Sequence, residues 1–245
     1  MLDPKEEAKF RELKEKCREL KVPAPPEIMI RLQVHDKDGN LTFDDIQRGH
    51  SWTRNFYNMF FGCAGNGQAN GGNNFGAGYM TGKYVSGSIS YSSSYTARPA
   101  TIAGSAWIPS VPGTGFIYGS AAATYGIVIG TSDTAFNADH YTMQTIIAHG
   151  NSADQLYYQA MTAPIVAYTA GSKTWKTTLS RIYNNNSGGS ITVKETGLYS
   201  AADIYGGTSN PYLVERSVLS PTVAVANGAQ FTVTYEITMD FSAID

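Results

Sequence analysis

The chain has 245 residues; 18 Lys and Arg against 20 Asp and Glu give a formal net charge of −2 at pH 7, and only 16% of side chains are charged while 42% are hydrophobic. An average soluble domain is about 25% charged, so this is a globular chain of unusual neutrality, long enough for one large all-β domain or two smaller ones with a substantial core. Near-zero net charge removes the clustered cations on which phosphate affinity rests and argues against a nucleic-acid partner.

Charge is concentrated at the N-terminus, where residues 1–50 carry 10 basic and 11 acidic side chains. Asp3 and Pro4 form an N-cap with proline at the first helical position, Glu6 and Glu7 lie at the positive end of the dipole, and Lys21 at its negative end. A helix is predicted from about Pro4 to Leu20, with Glu7–Arg11 and Glu12–Lys16 as i,i+4 pairs. Its apolar residues Phe10, Leu13, Cys17 and Leu20 follow a heptad spacing. So narrow a stripe prefers a partner, which makes these four residues the candidate docking site. The alternative is a helix lying on its own domain, because two heptads are marginal as an isolated coiled coil. Pro23, Pro25 and Pro26 read as a stiff spacer that holds the helix away from the rest. The expected division is therefore 1–26, helix and proline-rich spacer, and 27–245, the body.

The body opens with Ile28, Ile30, Leu32 and Val34 alternating with Met29, Arg31 and Gln33, the pattern of a half-buried strand, and 36–40 reads as the turn of a hairpin into 41–46. Ser51 can cap a second helix near 51–63, with Trp52, Phe56, Met59, Phe60 and Cys63 at helical spacing as core. The Gly-, Asn- and Ala-rich run from Gly65 to Gly78 is either mobile or ordered by a neighbour. Strands are then expected at 83–91, 125–129, 164–169, 175–183, 191–199, 212–219 and 231–239. The last is the clearest, since Phe231, Val233, Tyr235, Ile237 and Met239 alternate with polar residues after an Asn227-Gly228 turn. About eight strands at this spacing indicate a sandwich or barrel.

Chemistry is sparse. The histidines are His35, His50, His140 and His149, and the sequence contains no HExxH helix, GxSxG elbow, CxxC pair or phosphate loop. Asp139, His140, His149 and Asp154 are the one gathering of acids with imidazoles from which a hydrolase could be built; the alternative is a polar turn flanking a buried segment at 141–148. Asp36, Asp38 and Asn40 begin like a calcium loop, but the glycine stands at Gly39 and the twelfth position is Gln47, so a hairpin turn is the better reading. Asn185 and Ser187, like Asn40 and Thr42, match the glycosylation sequon but lack an export signal beside them. Cys17 and Cys63 read as free thiols, and no disulfide framework is expected. No apolar run of about 18 residues and no leader-like stretch is evident, so neither a membrane span nor export is expected. No metal, cofactor or catalytic residue is assigned. The 16 tyrosines could supply a sugar-stacking face, though core and interface positions are the commoner use.

Three stretches carry a resemblance: 125–150 (YGIVIGTSDTAFNADHYTMQTIIAHG), 180–200 (SRIYNNNSGGSITVKETGLYS) and 212–241 (YLVERSVLSPTVAVANGAQFTVTYEITMDF). In this order they resemble a group of virion structural proteins of tailed bacteriophages. The group's "VGTG"-like turn corresponds to Val128–Thr131 and its "LxSxIxHG"-like segment to Met143–Gly150. Its "N-x-SGxxIxVxExGLY" strand pair corresponds to Asn185–Tyr199 and its "xRxVLxxPVxV" strand to Val214–Val225, before a closing "LTVTYxI" strand. The opening IRLQVHDKDGNLTFDDIQRGHSWTRNFYNMF is similar to the group's first hairpin and helix. The turn here lacks the second glycine, being Gly130, Thr131, Ser132, and the leading helix with its spacer has no counterpart.

The resemblance implies a fold and a virion setting rather than a catalytic site. The expectation is a mainly β protein, a jelly-roll-like β-sandwich with an N-terminal α-helix on a proline-rich spacer. It would act without catalysis, as a homo-oligomer with other virion proteins of capsid or tail: decoration, tail or fibre attachment. The alternative is a carbohydrate-binding module that recognises a host-surface glycan. Glu195 and Arg216, rare charges in neutral strands, are expected to pair across the sheet.

Overall fold

The computed structural model describes residues 4–22, 24–49, 52–57, 82–83, 85–87, 89–90, 123–203 and 209–242. Asp3, Pro23, His50, Ser51, Met59, Phe60, Cys63 and the Gly65–Gly78 run lie outside the described residues.

The helix forms as α1, Pro4–Glu19. It ends in a Schellman-type cap: Lys21 takes a left-handed conformation (φ 55°) and the Val22 N–H donates to Cys17 O at 3.0 Å. The expected hairpin is β1, Glu27–His35, with β2, Leu41–Arg48. The short β3 (Gly82–Lys83) and β4 (Ile89–Ser90) follow, then β5 (Gly126–Gly130), β6 (Tyr157–Tyr158), β7 (Ile165–Thr169) and β8 (Thr174–Asn184). The long β9 (Ile191–Asp203), β10 (Ser209–Val225) and β11 (Gln230–Asp240) complete the chain.

Two antiparallel sheets face each other as a β-sandwich. One has the order β2-β1-β11-β8, with β6 and β7 both on the far edge of β8; the other is β10-β9-β5. The strict alternation of 231–239 places Phe231, Val233 and Tyr235 in the core opposite Val34, Leu32 and Ile30 of β1. From the second sheet Ile127, Ile129, Leu198 and Val223 close over them. Tyrosine hydroxyls cross the gap: Tyr235 donates to Glu215 Oε2 at 2.7 Å and Tyr183 to Ile127 O at 2.8 Å. Each of these aromatic side chains fills the core while its tip satisfies a polar group there.

Two expectations need correction. The spacer does not hold the helix away. Arg48 forms ion pairs with Glu7 (2.7 Å) and Glu27 and lies over the Phe10 ring at 4.0 Å, while Lys14 reaches Glu27 at 3.0 Å. Residues 24–26 lead α1 back onto the sheet, with Ala24 buried and the Trp52 indole N–H donating to Pro26 O at 3.1 Å. Glu7 thus pairs with β2 rather than with Arg11, because a half-buried bidentate arginine outcompetes an exposed helical neighbour.

The second correction is at 83–91, which is not one strand but the two-residue pair β3 and β4, since Gly87 (φ 82°) turns the chain between them. Of the helix expected near 51–63, the described residues show one turn at 54–57, with Trp52 and Phe56 stacked at 3.8 Å and buried as core; 58–63 lie outside the described residues.

Candidate functional site

The strongest internal chemistry lies on both faces of β10. Glu215 and Arg216 are successive residues of a strand and therefore point to opposite sides. Glu215 faces the sandwich interior, where Tyr235 and Ser217 donate hydroxyl hydrogen bonds to its carboxylate. Burial raises its pKa to about 7, and those two hydrogen bonds and Arg216 only partly offset the shift. Arg216 faces the other way and makes the expected pair with Glu195, Nε to Oε2 at 2.6 Å, with both side chains fully buried. The segment 131–146 covers this face. Thr134 O accepts from Arg216 at 2.9 Å, and Glu195 accepts the Thr145 N–H at 2.9 Å. A β-carbon on Gly130 would collide with Thr145 O and with the Glu195 side chain, so the close approach of this segment depends on glycine.

A second polar group seals the free edge of β5. Arg181, on β8, donates to Gln159 O (2.9 Å), Tyr125 O (2.9 Å) and Ile127 O (3.1 Å) and lies 4.8 Å from the Tyr158 ring centre. Tyr158 donates to Ile147 O at 2.7 Å, and burial raises its pKa and that of Tyr183. These donors occupy backbone acceptors that an edge strand would otherwise leave open.

The four residues from which a hydrolase could be assembled are not brought together by any shared bond. His140 Nδ1 lies 3.4 Å from Arg216 Nη1 and accepts the Asn137 N–H at 3.2 Å; burial and then Arg216 lower its pKa. His149 Nδ1 accepts the Tyr158 N–H at 3.1 Å and its ring packs on Tyr157. Asp139 pairs with Arg54 at 2.7 Å on the surface, and Asp154 is exposed in a left-handed turn. Among the described residues no three His, Cys, Asp or Glu side chains are placed to hold a metal ion. Asp36 closes its own turn, accepting the N–H groups of Asp38 and Asn40 at 2.9 Å each. Asn185 is fully buried and donates to Gly189 O and Val225 O, which removes it as a glycan acceptor in the folded chain.

Of the candidate docking residues, Cys17 is buried and Phe10 lies against Arg48, whereas Leu13 and Leu20 remain exposed. A larger apolar surface lies elsewhere, on the β7–β8 hairpin, where all five residues of β7 are exposed. Ile165 is 68% and Tyr168 55% accessible, and Val166 and Trp175 are also open; the Tyr168 and Trp175 ring centres stand 6.1 Å apart. The spacing of these residues does not mark the surface in the sequence. Its signal was the uncharged run between Asp154 and Lys173, which carries no Lys, Arg, Asp or Glu over 18 residues.

No family model, curated protein or solved structure matches this chain.

Proposed function

We propose that the chain is a non-enzymatic structural subunit of a tailed-bacteriophage virion, assembling with itself and with capsid or tail subunits. The observation that carries this reading is the open apolar surface formed by the uncharged β7 and the start of β8, with Ile165, Val166, Tyr168 and Trp175 in solvent on a body whose buried Glu195, Arg216 and Arg181 are engaged in holding sheets and loops together. Interface cores favour aromatic and apolar side chains over charged ones, and none of the five residues of β7 is charged. Exposed Leu13 and Leu20 on α1 offer a second, smaller contact. The test is peptide mass spectrometry on tailed particles purified from cells that encode the chain. Its presence in the particles at a fixed ratio to the capsid subunit is the expected result, and its absence from them overturns the reading.

One observation favours a second reading, a glycan-binding module. The Tyr168 and Trp175 rings are exposed side by side, as a sugar-stacking platform requires. On that reading the isolated protein binds a glycan array and Trp175→Ala abolishes the binding.

A further inference from the structure

We infer that β7 pairs with β7 of a second copy of this chain, antiparallel about a two-fold axis at Ala167, so that the two large sheets continue through each other. The inference rests on the assembly reading above and names the surface and the partner within it.

The first argument is the state of the sheet edges. A strand edge with open N–H and C=O groups is a template for another strand, and proteins that stay monomeric blunt such edges with charge, bulges or cover. The β2 edge carries Asp44 in a bidentate bridge with Arg31 and a register shift at Val34/His35. The β5 edge is sealed by Arg181, Tyr183 and Tyr158, and a bridge from Ile146 to Gly130. Residues 52–53 lie along β10, where the Thr53 N–H donates to Val214 O at 2.9 Å. Among the described residues none of these devices reaches β7. Its five residues include no charge, proline or glycine, they run in unbroken register from Ile165 opposite Thr178 to Thr169 opposite Thr174, and all are exposed.

The second argument identifies the occupant. Turned about a two-fold axis at Ala167, the sequence Ile-Val-Ala-Tyr-Thr matches itself. The small Ala167 meets Ala167 of the second copy, Val166 meets its Tyr168, and Ile165 meets its Thr169. Aromatic with β-branched and β-branched with β-branched are favourable cross-strand pairs, and no like charges face each other. Because side chains alternate along a strand, Val166 and Tyr168 share the face that carries Trp175 and Thr177 of β8. Pairing therefore sets the Val166 of one copy beside the Tyr168–Trp175 pair of the other, twice, and joins two small apolar surfaces into one. The nearest charge, Lys176 opposite Ala167, is already bound to Glu236 at 2.9 Å. Across four strands the two copies of Lys176 would stand about 14 Å apart, beyond the Debye length at physiological salt. Such a contact is isologous and closed, the commonest form of oligomer symmetry.

The experiment is sedimentation equilibrium and native mass spectrometry of the full chain over a concentration series, with three variants. The expected results are a wild-type dimer and an Ala167→Lys chain, unchanged in circular dichroism, whose dimer dissociates at least about tenfold more readily. A mixture of Ala167→Lys and Ala167→Glu should restore a dimer of the two variants. Oxidised Ala167→Cys should run as a covalent dimer, since directly opposed strand residues bring two cysteines within disulfide reach; this arm stands even if the lysine variant fails to fold. A wild-type monomer across the series, a dimer that Ala167→Lys leaves unchanged, or oxidised Ala167→Cys that does not cross-link overturns the inference. A chain found on purified particles but monomeric alone overturns the two-fold pairing and leaves the virion reading standing. A β7 dimer absent from particles does the reverse.

Discussion

Glu215 and Arg216 are neighbours in sequence with opposite energetic consequences. Arg216 is fully buried but has Glu195 at 2.6 Å, so removing it leaves a buried carboxylate without its cation. Breaking such a pair costs about 3–5 kcal/mol, and urea unfolding of Arg216→Ala is expected to show a loss of that size. Glu215 is destabilising when charged. Its folded pKa, about 7, lies above the usual glutamate value of 4.5, so the folded state binds the proton more tightly and stability falls as pH rises from about 4.5 to 7. The loss levels off above pH 7 at about 3 kcal/mol. His140 works in the opposite direction: its lowered pKa makes the fold lose stability as pH falls below its unfolded value of 6.5. The informative measurement is therefore the difference between wild type and Glu215→Gln. The variant should gain on wild type between about pH 5 and 7 in urea midpoint and hold that gain above pH 7; a constant difference across the whole range would refute the assignment.

Elements are held by different means in the two sheets. α1 is tied to the body chiefly by Arg48, which joins Glu7 on the helix, Glu27 on β1 and the Phe10 ring. Arg48→Ala should lower hydrogen-exchange protection in residues 7–19 by an amount equivalent to about 1–2 kcal/mol of local opening, while protection in β1 and β11 stays unchanged. Equal loss in both would mean that helix and sheet unfold as one unit. The hairpin of β1 and β2 was legible because its apolar period of two ends at Asp36–Asn40, whose turn bonds involve only near neighbours. The packing of α1 was not legible, because Arg48 meets Glu7 across 41 residues and neither spacing nor propensity carries that pairing. The apolar run at 164–169 marks β7 as a strand, but its exposure on both faces depends on the sheet ending there.

The first and last strands, β1 and β11, are hydrogen-bonded neighbours in the centre of the larger sheet, and β9 and β10 lie in the other. Closing such distant pairings makes folding slow and places the final strand late in it. The division at residue 26 predicts that a chain lacking residues 1–22 still unfolds cooperatively in urea. Its stability should be reduced by about 1–3 kcal/mol for the loss of Phe10 and Cys17 packing and the Arg48 bridge. Loss of the cooperative transition would make the helix part of the same folding unit. The Gly130 turn belongs to this level too, since only the arrival of Thr145 and Glu195 from elsewhere in the chain makes a side chain impossible there.

Local order alone settled the helix, most of the strands and turns, and the mainly β class, because side-chain periodicity, caps and turn residues act over a few positions and leave their mark in the chain itself. It also pointed to Glu195 and Arg216, since two charges in neutral strands must find partners when buried. Which edges were sealed and which stayed open was decided only in three dimensions. Arg181, Tyr183 and Tyr158 close β5 with donors from β8 and β6, while nothing comparable among the described residues reaches β7. Edge protection is a relation between strands far apart in the chain, and the sequence records each strand's residues but not its neighbours.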